Sequence, residues 1–135
     1  MSNVYKRFRG ETDIQFIMTA LDLQTEITKY VTREKVVPKK WRLIVALPLV
    51  NKIDEMVDNI TFANSIYPRT QEELANRRAY QQKAIANCYQ VQNLIVKLEK
   101  CINTVTITGL ETIIDLLCKE LQLLKAWKKN DKMKV

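Results

Sequence analysis

The sequence contains no histidine, and its 135 residues include only two glycines and three prolines. Without histidine, the chain lacks the side chain that most often serves as a general base at neutral pH and as a common zinc ligand. With so little glycine, it also lacks a phosphate-cradling loop of the kind found in nucleotide-binding enzymes. We therefore expect a protein without enzymatic activity, metal or cofactor.

Scarcity of glycine and proline also bears on fold class, because sheet-rich proteins need many turn residues. This composition therefore favours helices. The three cysteines, Cys88, Cys101 and Cys118, are far apart and odd in number. This pattern favours buried, reduced thiols over a disulfide framework. We see no secretory leader, and the nearly uncharged run 43–51 is too short to span a bilayer. We therefore expect a cytoplasmic protein with no membrane partner.

What the chain does have is positive charge and enough apolar residues for one core. Twenty-two Lys and Arg residues against fifteen Asp and Glu residues give a net charge of +7. The hydrophobic fraction of 47% suits a single packed domain at this length. An excess of positive charge favours a polyanionic partner, such as nucleic acid.

Three capping boxes and two prolines predict the helix boundaries. The capping boxes are Thr12 with Gln15, Thr70 with Glu73, and Thr108 with Glu111. They predict the starts of helices one, three and four. Helix one should end near Arg33, and helix two should run from Pro38 to Ser65. Pro48 lies inside helix two and removes a backbone donor, so we expect a kink near residues 44–47.

Apolar residues recur at helical spacing in all four segments and predict one buried face on each helix. On helix one they are Ile14, Ile17, Met18, Leu21 and Val31, and on helix two Leu43, Leu47, Val50, Ile53, Val57 and Ile60. On helix three they are Leu74, Ile85, Cys88, Val91, Ile95, Leu98 and Ile102, and on helix four Leu110, Ile113, Ile114, Leu117, Leu121 and Leu124.

Four long helices with short connections predict an all-α fold, an up-down-up-down antiparallel four-helix bundle. We place this domain at residues 12–130. A basic N-terminal arm, residues 1–11, precedes it, and a charged C-terminal tail, residues 131–135, follows it. The charged residues after Trp127 are expected to fray.

Two helices carry a second apolar stripe. Its members are Phe16, Leu23, Ile27 and Tyr30 on helix one and Leu116, Leu123 and Trp127 on helix four. One interpretation is a broad buried face within the subunit. The other, which we favour, is an oligomer interface, because monomers rarely leave such stripes in water.

Basic residues cluster at both ends of the predicted bundle. The candidate nucleic-acid contacts at one end are Arg33, Lys35, Lys39, Lys40 and Arg42, and those at the other are Arg77, Arg78, Lys125, Lys128 and Lys129. Lys and Arg neutralise phosphates and release counterions, so binding should be independent of sequence and sensitive to salt. The alternative is a structural helical adaptor whose charge serves only solubility.

Several short segments resemble one known family. They are Val36-Val37-Pro38-Lys39-Lys40-Trp41-Arg42, the pair Arg77-Arg78, and Leu123-Leu124-Lys125-Ala126-Trp127-Lys128-Lys129. Over roughly residues 12–130, the chain is similar to the accessory variability determinant (Avd) proteins of diversity-generating retroelements. Those proteins are in turn similar to four-helix proteins encoded by intervening sequences of ribosomal RNA genes. Pro48 departs from the family pattern.

This resemblance implies a basic homopentamer that binds DNA and RNA and associates with the reverse transcriptase of the retroelement. Such a protein supports mutagenic retrohoming, in which template RNA is copied into cDNA. By position, the resemblance assigns nucleic-acid contacts to Lys39, Lys40 and Arg42 and to Arg77 and Arg78. A protein of the ribosomal intervening-sequence type is the nearest rival.

Overall fold

The computed structural model describes residues 14–134, so the predicted N-terminal arm and the Thr12 cap lie outside the described residues. Within them, four long α-helices carry the fold. They are α1 (Gln15–Val31), α2 (Leu47–Ser65), α3 (Gln71–Cys101) and α4 (Glu111–Asn130). A 3-10 turn, Lys39–Trp41, and a π-helix, Arg42–Ala46, lead into α2. The described part of the chain contains no β-strand.

The four helices pack as a bundle in which α1 and α3 each contact both α2 and α4. Hydrogen bonds between connecting segments show that neighbours run antiparallel. The Thr104 hydroxyl, just after α3, donates to the carbonyl of Val36, which precedes the 3-10 turn. At the opposite end, the backbone N–H of Lys134 donates to the carbonyl of Pro68 over 2.7 Å. The predicted all-α four-helix bundle is confirmed.

We expected helix two to run from Pro38 with a kink near residues 44–47, but its regular α-helix begins only at Leu47, after a 3-10 turn and a π-helix. Its buried face also differs from the prediction. In the π-helix before Pro48, the N–H of Leu47 bonds to the carbonyl of Arg42, five residues back. The wider turn changes the rotational position of the residues before α2 relative to those within it. Leu43 and Leu47, predicted to be buried, are 78% and 44% exposed. Ile53 and Ile60 are buried as predicted. Five residues that the prediction did not include are buried as well, namely Val45, Ala46, Leu49, Met56 and Ala63.

The capping box of α3 is confirmed, whereas that of α4 is wrong. The Thr70 hydroxyl accepts from the N–H of Glu73 over 3.1 Å, and the Glu73 carboxylate accepts from the N–H of Thr70 over 3.0 Å. Helix α4 has Leu110 at its N-cap and no side-chain cap. Thr108 lies inside the tight turn before α4, where its backbone carbonyl, not its hydroxyl, accepts from the N–H of Glu111.

The second apolar stripe of helix one belongs to the core of the single subunit, which corrects our expectation. Leu23 and Ile27 are completely buried, and Tyr30 is also buried. Because α2 and α4 both contact α1, two faces of α1 are covered, and these three side chains are not available to a second subunit. The broad buried face is the correct interpretation for them.

The rest of the predicted interface is half-buried, and two of its members join α1 to α4. The rings of Phe16 and Trp127 stack with their centroids 4.0 Å apart. Leu116 and Leu123 are also half-buried on α4, and Leu116 packs against the core. Association between copies of the chain therefore stays a prediction, and the buried residues of α1 no longer argue for it.

Candidate polyanion-binding groove

A groove of about 410 Å³ runs between α3 and α4 near the end where α4 finishes. Its lining consists of Gln82, Ile85, Tyr89, Lys125, Lys128 and Lys129. The three α3 residues lie three and four positions apart. On α4, Lys128 and Lys129 lie three and four positions after Lys125, so each helix presents its set along one face. The structure thus brings together three of the ten predicted nucleic-acid contacts.

Contacts across the groove hold two of the lysines in place. The Lys128 ammonium donates to the side-chain oxygen of Gln82 over 2.8 Å. The Lys125 ammonium lies 5.5 Å from the ring centroid of Tyr89, within range of a cation–π interaction. Tyr89 itself is 44% exposed, so part of its ring remains open to a ligand. The groove therefore combines positioned cations with an accessible aromatic surface.

The positive charge of the groove is not balanced by nearby carboxylates on its own helices. The sequence has no Asp or Glu from Leu74 to Leu98, or from Leu121 to Asn130. None of the lining residues is acidic. Like charges gathered without compensation produce a positive potential that attracts and concentrates anions.

Arg77, a predicted nucleic-acid contact, instead serves the fold. Its side chain is buried, and its Nε donates to the carboxylate of Asp131 over 2.6 Å. One of its terminal nitrogens donates to the carbonyl of Ile66 over 2.7 Å. The guanidinium also lies 5.3 Å from the ring centroid of Trp127. Arg77 is therefore enclosed by segments distant in the chain, whereas its neighbour Arg78 is exposed.

The same contacts correct the expectation of a frayed C-terminal tail. Asp131 is buried and accepts hydrogen bonds from Arg77 and from the Gln81 side chain, the latter over 3.0 Å. Arg78, which is exposed, donates to the backbone carbonyl of Asp131 over 3.1 Å. The first turns of α3 therefore hold the segment that follows α4. Arg78 remains at the surface, next to the end of the groove on α3.

The other five predicted contacts lie at the opposite end of the bundle. Arg33, Lys35, Lys39 and Lys40 are exposed there. The Glu34 carboxylate pairs with Lys39 at 3.7 Å and with Arg42 at 3.8 Å. This partial neutralisation distinguishes the second basic cluster from the groove. The structure thus divides the ten predicted residues into two separate groups and removes Arg77 from them.

The sequence did not lead us to Tyr89 and Gln82, the two groove residues that contact the side chains of Lys125 and Lys128. A signal was present, since Gln82, Ile85 and Tyr89 share one face of a helix that carries no acid over more than six turns. Which face of α3 meets α4 is decided by packing, and a single sequence does not reveal it.

A comparison of the chain with protein families finds no match, and comparisons with curated proteins and with solved structures find none either. In the part of the chain that the structure describes, no helix combines the length and apolar character needed to cross a bilayer.

Proposed function

We propose that this chain is a non-enzymatic protein that binds nucleic acid, with the α3–α4 groove contacting the phosphate backbone. The observation that supports this proposal is the convergence of Lys125, Lys128 and Lys129 on a groove without acidic residues. Phosphate-directed contacts carry no base information, so binding is largely independent of sequence. The exposed ring of Tyr89 adds a surface on which an unpaired base stacks.

The biological setting that we propose is an accessory role beside the reverse transcriptase of a diversity-generating retroelement. Its support is the resemblance of the segments 36–42, 77–78 and 123–129 to Avd proteins. In that role the protein acts in the cytoplasm, binds both DNA and RNA, assembles as a homopentamer and supports retrohoming. The rival proposal is a structural adaptor of the ribosomal intervening-sequence type, in which the groove has no nucleic-acid role.

Fluorescence anisotropy with labelled RNA and DNA oligonucleotides of unrelated sequence tests the binding proposal. We expect similar affinities for all of them and a linear fall of log affinity with log salt concentration. No binding at low salt would favour the adaptor. The accessory role needs a separate test, namely cDNA synthesis by an Avd-dependent retroelement reverse transcriptase with and without this protein. No stimulation there would remove the accessory role while leaving the binding proposal intact.

A further inference from the structure

Three large aliphatic side chains at the start of helix two are exposed to solvent. Leu43 is 78% exposed, Ile44 is 64% exposed and Leu47 is 44% exposed. Leu47 lies four residues after Leu43 and three after Ile44, so it is next to both of them on the helical surface. We call these three residues the aliphatic patch. Single exposed apolar residues are ordinary, but a contiguous cluster is typical of an interaction site.

The aliphatic patch is held in this position by the fold. It lies on the π-helix Arg42–Ala46 and the first residue of α2. Val45 and Ala46, in the same segment, are buried in the core and anchor it. The N–H of Leu47 is bonded to the carbonyl of Arg42, so the backbone of the segment is ordered. Because π-turns within helices occur frequently at functional sites, the irregularity itself is informative.

Positive charge surrounds the aliphatic patch. Lys39 and Lys40 are exposed in the turn directly before it, and Arg42 adjoins it. Among the described residues 14–134, Glu34 is the only carboxylate with a salt bridge to these cations, and it pairs with both Lys39 and Arg42. One carboxylate against three cations leaves the border of the patch positive.

This combination of charge and apolar surface narrows the choice of partner. Pairing the patch with itself in a second copy would bring the same cations together, which is unfavourable. Nucleic acid would match the cations but gains nothing from aliphatic side chains, and the nearby Trp41 is half-buried. A protein surface with apolar residues flanked by carboxylates matches both features.

We propose that the aliphatic patch docks an amphipathic helix of another protein, with apolar residues at helical spacing and Asp or Glu residues on its borders. Apolar side chains of that helix cover Leu43, Ile44 and Leu47, and its carboxylates face Lys39, Lys40 and Arg42. This surface lies at the opposite end of the bundle from the α3–α4 groove. The proposal therefore holds whether or not the groove binds nucleic acid.

Binding of designed helical peptides by fluorescence anisotropy tests this docking site. The probe is a labelled peptide with Leu at positions i, i+3, i+4 and i+7 and Glu on the flanking positions. We expect it to bind, and a matched peptide with Lys in place of Glu to bind about tenfold or more weakly. The variant Leu43→Ser with Leu47→Ser should lose about tenfold or more in affinity for the acidic peptide, as central apolar contacts do.

Two control variants locate the binding. Val96→Ser changes an apolar residue on α3 that is about as exposed as Leu47, and it should leave the affinity unchanged. Replacing Lys125, Lys128 and Lys129 together with Gln should also leave it unchanged, because those lysines lie in the groove. Unchanged thermal midpoints, followed by circular dichroism, will show that each variant is folded.

Four results would overturn the proposal. The first would be that the acidic peptide does not bind to the original protein. The second would be that it binds to the Leu43→Ser, Leu47→Ser variant as tightly as to the original protein. The third would be that vesicles of phosphatidylcholine and phosphatidylserine bind to the protein through the aliphatic patch while the peptide does not, which would assign the surface to a membrane. The fourth would be that light scattering detects an oligomer of the original protein and a monomer of the Leu43→Ser variant, which would assign the aliphatic patch to self-association.

Discussion

The Nε atom of Arg77 donates a 2.6 Å hydrogen bond to the Asp131 carboxylate, joining the start of α3 to the segment after α4. Both side chains are almost wholly withdrawn from solvent. Gln81 donates to the same carboxylate oxygen over 3.0 Å. A charge buried in this way is tolerated because its partner and its hydrogen bonds are in place. The contact therefore fastens the C-terminal segment to the bundle.

Replacing Asp131 with alanine should leave the buried Arg77 guanidinium without its counter-charge. We expect the free energy of unfolding to fall by about 3–5 kcal/mol, as when one partner of a buried pair is removed. Urea unfolding monitored by circular dichroism measures the change. Lys132→Ala, at the exposed neighbouring position, serves as the control and should have little effect. A loss below about 1 kcal/mol for Asp131→Ala would mean that the pair behaves like a surface salt bridge.

Removing the three groove lysines should weaken nucleic-acid binding and reduce its salt dependence. Each lost phosphate contact lowers the slope of log affinity against log salt by about 0.7–0.9, so replacing all three with Gln should lower it by about 2–3. The matched control replaces the exposed residues Lys29, Lys97 and Lys100 with Gln and removes the same charge elsewhere. Equal losses from both triple variants would point to net charge, rather than the groove, as the cause.

Tyr89 should contribute through its ring. If a base stacks on it, Tyr89→Ala should weaken binding of single-stranded RNA by about 1–3 kcal/mol, whereas Tyr89→Phe should retain most of the affinity. Anisotropy titrations at one fixed salt concentration provide the comparison. Equal affinity of the alanine variant and the original protein would remove stacking from the proposal.

Glu120 is a second unusual buried group. Its side chain is completely buried, and neither carboxylate oxygen has a hydrogen-bond partner among the residues that the structure describes. Burial raises the pKa of this carboxyl to about 9, and the nearby Lys119 charge offsets only part of the effect. Glu120 is therefore protonated in the folded protein at neutral pH, whereas in the unfolded chain it is ionised.

This difference in protonation predicts a stability that falls as pH rises. Between the ordinary pKa of 4.5 and the raised value of about 9, the folded state holds a proton that the unfolded state has released. Stability should therefore decrease by up to about 1.4 kcal/mol per pH unit across that window. Glu120→Leu should remove this dependence and be more stable at pH 7. Urea midpoints at several pH values measure both effects, and Asp115→Asn, at an exposed site on the same helix, should keep the original pH profile.

The three cysteines should react at different rates. We expected all of them to be buried, but only Cys88 is, whereas Cys101 is half-buried and Cys118 is exposed. Burial raises the pKa of the Cys88 thiol to about 12, which suppresses the reactive thiolate. Iodoacetamide labelling followed by mass spectrometry should modify Cys118 first and Cys88 only when the chain unfolds. Early labelling of Cys88 would contradict its burial.

The sequence by itself determined the helical fold and most of its boundaries. Those features depend on local chemistry, because a capping box such as Thr70 with Glu73 and a proline such as Pro48 act on backbone groups a few residues away. The buried face of α3, from Leu74 to Ile102, also followed from periodicity alone. A regular helix keeps its phase over many turns, so one pattern sufficed.

Only the tertiary structure decided which surfaces remain free. Leu23 and Ile27 are core residues because a second neighbour covers α1, and Leu43 is exposed because the core packs against the side of helix two that carries Val45 and Leu49. Arg77 and Arg78 are adjacent in sequence, yet one is buried against Asp131 and the other faces solvent. Likewise, Lys125 meets Tyr89 only because α4 packs beside one face of α3. Each outcome depends on contacts between segments distant in the chain, and local sequence patterns carry no information about which segments will meet.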